Sequence, residues 1–155
     1  ADERRAPDAH NPAGYLEWAP VKDLPEGAPR WEETHGKAVK VVGPLLRHLP
    51  PDRPYLVLWM DRPLLEVLLS QQKMKGAAVR DFPFQLAQDF QKEEKRLLRW
   101  LDQQPHIYHE KLGYHDFIEA PEQVLQRLEA LLPRAFDPEA ARRAIRPELY
   151  RHKIG

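Results

Sequence analysis

Arg62 and Ser70 are the residues of this chain whose types and spacing best suit a chemical task. They lie in residues 55–73, YLVLWMDRPLLEVLLSQQK, where an apolar run ends in Asp61-Arg62-Pro63 and a helical pattern begins at once. An arginine at the carboxyl end of a buried strand, with a hydroxyl on the next helix, suits a phosphate held in the crevice above a parallel sheet. Arg62 precedes a proline, which biases it to extended geometry at the seam between strand and helix. Ser70 then stands ~10–12 Å further along the axis, at ~1.5 Å per residue, so an arginine side chain reaching halfway can share a phosphate with that hydroxyl. A charge-assisted contact of this kind contributes ~1.5–3 kcal/mol. The same spacing also allows Arg62 to pair with Asp61 or Glu66 while Ser70 bonds to its own helix.

The elements that must position this pair follow from hydrophobic period and punctuation. Residues 1–36 are rich in proline, charge and tryptophan, and prolines at 7, 12, 20, 25 and 29 forbid a long helix or central strand there. They are expected to form an ordered-loop or lid-like segment, leaving 37–155 as an α/β domain. Residues 37–42 (KAVKVV) read as a short buried strand, followed by a single helical turn through Leu45, Leu46 and His48. Residues 55–60 are continuously apolar, as parallel strands are. Pro63 opens a helix whose Leu64, Leu65, Leu68 and Leu69 share one stripe, with Gly76 as its stop. A longer amphipathic helix covers 83–103, with Leu86, Phe90, Leu97, Trp100 and Leu101 on one face. Residues 106–113 read as a third strand. Helices opening at Pro121 and at Asp137-Pro138 run to about 132 and 145. This order predicts an α/β layer with parallel strands and right-handed crossovers. Three strands are few for such a sheet, whose mean is ~5–6.

Composition narrows the chemistry. Lys+Arg and Asp+Glu both number 24, so the formal charge is zero, which argues against a nucleic-acid or membrane-surface partner. A local anion site needs only one or two arginines. With no cysteine, the chain has no disulfide, thiolate metal site or cysteine nucleophile. No apolar run approaches the ~18 residues of a membrane span, and ADERRAPDAH has no secretory apolar core, so a cytoplasmic protein is expected. Sixteen prolines are about double the average usage. The initial Ala1 points to processing or to a start inside a longer gene. In an extended strand His106 and His109 face opposite ways, and His115 lies ~20 Å beyond His109, so no metal site is expected. Trp18, Trp31 and Trp59 read as packing residues.

The wording around Arg62 resembles that of the sulfotransferases that use the nucleotide sulfate donor PAPS, in their bacterial branch. Met60-Asp61-Arg62 and Glu66-Val67-Leu68-Leu69-Ser70-Gln71-Gln72-Lys73-Met74 match their strand, arginine, helix, Ser-Gln and Lys-Met phrase. Asn11-Pro12-Ala13-Gly14-Tyr15-Leu16-Glu17-Trp18 resembles their Asn-Pro-x-Gly-Tyr-x-Glu stretch, and residues 36–42 the strand after it. Gly113-Tyr114-His115-Asp116-Phe117 is similar to their Tyr-Glu-Asp-Leu/Met segment, and Pro147-Glu148-Leu149-Tyr150-Arg151 to a frequent closing phrase. The resemblance covers residues 11–151. It implies a three-layer fold like that of P-loop-containing nucleotide hydrolases, with a short parallel sheet that lacks the first strand and the P-loop.

It further implies transfer of a sulfonate group from PAPS to a hydroxyl or amine of a small acceptor, without a metal. Arg62 and Ser70 would hold the 3′-phosphate, and Tyr114 falls where the family often places a ring near the adenine; a core aromatic behind a strand is its alternative. The family's glycine-rich loop, whose backbone amides hold the 5′-phosphosulfate at a helix start, is not in the sequence. Gly36-Lys37 enters a strand rather than leaving one and is not a P-loop. Cytosolic relatives carry Lys-Thr-His after the next strand; here Lys40-Val41-Val42 keeps the lysine and loses the histidine. Glu17 is then the best candidate base, or else a solvated loop carboxylate, and Lys40 a stabiliser of charge on the sulfonate or a strand-end cap. Without that loop, weak or no turnover by these residues alone is expected. The alternative is a truncated, non-catalytic paralogue or fragment: a nucleotide-binding module, or an interaction module whose sheet another chain or a second copy completes.

Overall fold

The computed structural model describes residues 17–27, 30–74 and 84–149. Most of the Asn-Pro-x-Gly-Tyr-x-Glu phrase, the Gly76 stop, the side chains of residues 71–74 and Tyr150-Arg151 lie outside the described residues. The chain is mixed α/β. Strand β1 (Tyr55–Asp61) leads into α1 (Leu64–Met74) and α2 (Phe84–Leu101), then β2 (Ile107–Gly113), α3 (Asp116–Glu119), α4 (Pro121–Leu131) and α5 (Pro138–Ala144). The two strands form one two-stranded sheet. At its start Tyr55 N–H donates to the His106 carbonyl (2.8 Å), and at its end Tyr114 N–H donates to the Asp61 carbonyl (2.7 Å). Both strands therefore run the same way, and their carboxyl ends lie side by side.

Local chemistry accounts for each boundary. Pro63 accepts from the amides of Glu66 (2.9 Å) and Val67 (3.2 Å), closing the first turn of α1. Pro121 opens α4 at a position where its missing N–H is harmless. Asp137 caps α5, its Oδ1 accepting from the amides of Glu139 (2.9 Å) and Ala140 (3.1 Å). Helices α1, α2, α4 and α5 match their sequence-predicted spans within two residues.

The chain divides into two compact units, Ala1–Tyr55 with Glu93–Ile107, and Leu56–Lys92 with Tyr108–Gly155. In the first, 3-10 turns at Ala19–Glu26 and Gly43–His48 contact one another. Val21, Leu24, Trp31, Leu46, Leu49, Leu97, Leu101 and Ile107 are its buried apolar residues. Trp31 is tied in by its indole, whose Nε1 donates to Tyr55 Oη (3.0 Å), and that hydroxyl in turn donates to the Pro50 carbonyl (2.9 Å). In the second, Leu68, Leu112, Val124 and Leu125 are buried, together with one carboxylate, Glu66.

Two expectations need correction. Residues 37–42 carry no ladder; the sheet has two strands among the described residues, not three. Val39 and Val41 are half-buried while Ala38, Lys40 and Val42 are exposed, so period-2 alternation is present without hydrogen-bonded neighbours. A β-branched run signals extended backbone, and only a partner strand turns that into a sheet. The apolar face of α2 is also shorter than its pattern implies: Leu97 and Leu101 are buried, but Leu86 and Phe90 are exposed.

Candidate functional site

The carboxyl ends of β1 and β2 bring together residues far apart in sequence. Arg62 leaves β1 and Tyr114 leaves β2, and the Tyr114–Asp61 backbone bond holds the two exits adjacent. The Arg62 guanidinium carbon lies 5.1 Å from the centroid of the Tyr114 ring, within cation–π range. Ligands of open parallel sheets bind in the crevice beyond the strands' carboxyl ends.

Beneath this stack lies Glu66, the one buried charged residue among those described, with 0% exposure. It stands in the first turn of α1, four residues beyond Arg62, which precedes the helix. Arg62 Nε donates to Glu66 Oε2 (3.1 Å), and His115 Nε2 lies 3.2 Å from Glu66 Oε1. An ionised carboxylate only accepts, so with Arg62 on one oxygen the hydrogen shared with His115 belongs to the ring. The other ring nitrogen, Nδ1, is 4.0 Å from Glu119 Oε1, which is largely in solvent. Arg62 and His115 side chains are 25% and 32% exposed, so both bridge a dry carboxylate to the surface. Asp116 folds its carboxylate back over Gly113, where a β-carbon would collide with it. Nearby, Lys111 Nζ meets Asp61 Oδ2 at 3.1 Å as an exposed pair.

The structure thus joins Arg62 to Tyr114, as the resemblance groups them. It also realises the alternative in which Arg62 pairs with Glu66. Ser70 is half-buried on α1, one turn past Glu66 on the same helix face. In the first unit Lys40 Nζ and Glu17 Oε1 are 3.4 Å apart, both well exposed. They form an exposed ion pair of the kind that adds about 0–1 kcal/mol to stability.

Pattern reading weighed Glu66 only as an alternative partner of Arg62 and missed His115. The available signal was Glu66 four places after Arg62 inside an otherwise leucine-rich stripe. His115 entered the sequence reading only through a metal site that was not expected and as part of the Gly113–Phe117 segment; among the described residues no group of three His, Cys, Asp or Glu is placed to hold a metal ion. No helix among them is long and apolar enough to cross a membrane. In comparisons with family models, curated proteins and solved structures, nothing matches this chain.

Proposed function

We propose that this chain is a PAPS-dependent sulfotransferase-like protein with a P-loop-type α/β fold, acting on a small hydroxyl or amine acceptor. The observation that carries this is the stack of Arg62 on Tyr114 at the carboxyl ends of two parallel strands. These are two of the three residues that the resemblance assigns to the donor nucleotide. Arg62 supplies charge for the 3′-phosphate, Ser70 a hydroxyl on α1, and Tyr114 a ring for the adenine.

In the transfer, a bond forms from the acceptor oxygen or nitrogen to sulfur while the bond from sulfur to the 5′-phosphate oxygen breaks. The acceptor proton passes to a base, for which Glu17 is the candidate, with Lys40 beside it to offset charge on the sulfonate. Among the described residues no glycine-rich turn leads from a strand into a helix; the two glycines with positive φ, Gly27 and Gly36, precede no such helix. The residues in hand therefore fit the nucleoside 3′-phosphate end of PAPS but not its phosphosulfate end. That favours nucleotide binding without efficient turnover by this chain alone.

Isothermal titration with adenosine 3′,5′-bisphosphate tests the assignment. Arg62→Ala should weaken binding by about tenfold or more, as loss of a charge-assisted contact of ~1.5–3 kcal/mol implies. Equal affinity in wild type and Arg62→Ala would remove Arg62 from the site.

A further inference from the structure

The Glu17–Lys40 pair of the first unit is not held in place by its own attraction. Lys40 Nζ and Glu17 Oε1 stand 3.4 Å apart, with both side chains well exposed. An exposed pair gains little in water and loses side-chain freedom, so it cannot by itself fix two long side chains from separate segments. Their placement comes from what anchors the backbone beside each of them. Lys40 lies in the extended stretch 37–42, exposed between the half-buried Val39 and Val41. Glu17 precedes Trp18, whose backbone is also extended (φ −94°, ψ 113°). Successive side chains of extended backbone point to opposite sides, so the side that Trp18 takes decides the side left to Glu17.

Trp18 has a fixed seat. Its ring centroid lies 5.9 Å from that of Trp31, with the planes tilted by 52°, inside the range of favourable aromatic pairs. Trp31 is buried and held at three points. Its Nε1 donates to Tyr55 Oη (3.0 Å), its carbonyl accepts from Thr34 Oγ1 (2.7 Å), and its ring meets Trp18. The Tyr55 hydroxyl is itself tied to the Pro50 carbonyl (2.9 Å). We propose that Trp18 and Trp31 are positioning residues of the acceptor side, their stack turning the Glu17 carboxylate outward to Lys40. This rests on the reading of Glu17 as the base and adds what sets the base in place. Trp18 acts through its neighbour Glu17, and Trp31 acts through Trp18.

Zero-length carbodiimide cross-linking of the full chain, read by peptide mass spectrometry, reports which carboxylates and amines stand in contact. Wild-type protein should form an amide between Glu17 and Lys40. It should form another between Asp61 and Lys111, an exposed pair at 3.1 Å in the second unit that serves as internal standard. Trp18→Ala should lower the Glu17–Lys40 product several-fold relative to the standard. Trp18→Phe, which keeps a ring against Trp31, should restore most of it. Trp31→Phe keeps a buried ring but drops the tie to Tyr55, and should lower the same ratio by a smaller factor; an equal ratio there removes Trp31 from the assignment. General loosening of the fold lowers both products in step. That result in Trp18→Ala, or an unchanged ratio, overturns the inference, as does a wild-type protein that joins Asp61 to Lys111 but not Glu17 to Lys40. Titration of the wild type with adenosine 3′,5′-bisphosphate reports separately on the donor. A ratio that depends on Trp18 without nucleotide binding removes the sulfotransferase reading and leaves the stack as what places Glu17.

Discussion

Removing Arg62 should destabilise the fold more than removing the charge of Glu66, although both changes break the same contact. Glu66 has no exposure at all, whereas the Arg62 side chain keeps 25% of its surface in contact with solvent. In Arg62→Ala a dry carboxylate loses its bond from the guanidinium and cannot rehydrate. Breaking a buried pair in that way costs ~3–5 kcal/mol, and the low end applies because His115 remains at 3.2 Å. In Glu66→Gln the volume is kept, and Arg62 and His115 turn toward water. The loss is then that of charge-assisted bonds partly replaced by an amide, about 1–2 kcal/mol. Urea unfolding followed by tryptophan fluorescence gives both values. At about 2–4 °C per kcal/mol for a domain of this size, Arg62→Ala should lower Tm by about 6–12 °C. The double variant Arg62→Met/Glu66→Met should be more stable than Arg62→Ala, because it removes the orphaned charge together with its partner. If Arg62→Ala costs less than about 1 kcal/mol, or the two losses add, then Glu66 is not the desolvated charge described above.

Three further predictions concern α2, the Tyr55 hydroxyl and the response to acid. Leu101→Ala, at a side chain with no exposure, should cost about 2–5 kcal/mol, while Leu86→Ala in the exposed half of the same helix should stay within about 0.5 kcal/mol in urea unfolding. Tyr55→Phe should cost about 1–3 kcal/mol by stranding the Trp31 indole N–H and the Pro50 carbonyl. Burial raises the Tyr55 phenol above its usual range, so the stability it lends is complete below the unfolded tyrosine value and is lost as pH rises through the folded one. Phenolate absorbance should show one tyrosine ionising late and together with unfolding. Glu32 and Asp52 are both held below the ordinary carboxylate range by bonds to Arg53. Their contribution is present above the unfolded values and disappears as pH falls through the folded ones, so Arg53→Ala should move acid unfolding to higher pH.

Element positions were legible because they depend on local signals. The apolar run before Asp61-Arg62-Pro63, the prolines opening α4 and α5 and the Asp137 cap act within a few residues of themselves. The stretch 37–42 was misread because its extended backbone is local and its lack of a ladder is not. Phe90 and Leu86 were misread for a related reason, since an amphipathic stripe shows which face is apolar and not how far along the helix something covers it. Within the site, Arg62 was legible from its place between strand and proline. Its contact with Tyr114, 52 positions on, follows from the register of β1 and β2, which no spacing in either segment reveals. The Glu66–His115 contact spans 49 positions and was hidden for the same reason.

The position of Glu66 itself bears on how the site is built. It interrupts a helix reading Leu64-Leu65-Glu66-Val67-Leu68-Leu69, where a leucine would continue the apolar stripe and bury cleanly. A buried ion pair is often no better for stability than an apolar pair of similar volume, because desolvation offsets the Coulomb attraction. Folding alone therefore gives no reason for a carboxylate at this place. What the carboxylate does, and a leucine would not, is fix two cation-capable side chains from different segments against the same point. It holds Arg62 by Nε, so the guanidinium lies across Tyr114, and it takes the hydrogen of His115 Nε2, so the imidazole is set beside it. On this view Glu66→Leu separates the two roles cleanly. It should unfold no more easily than Arg62→Ala, yet weaken adenosine 3′,5′-bisphosphate binding, because the guanidinium is no longer held across Tyr114. Unchanged affinity in Glu66→Leu would show that the arginine finds its place without the carboxylate.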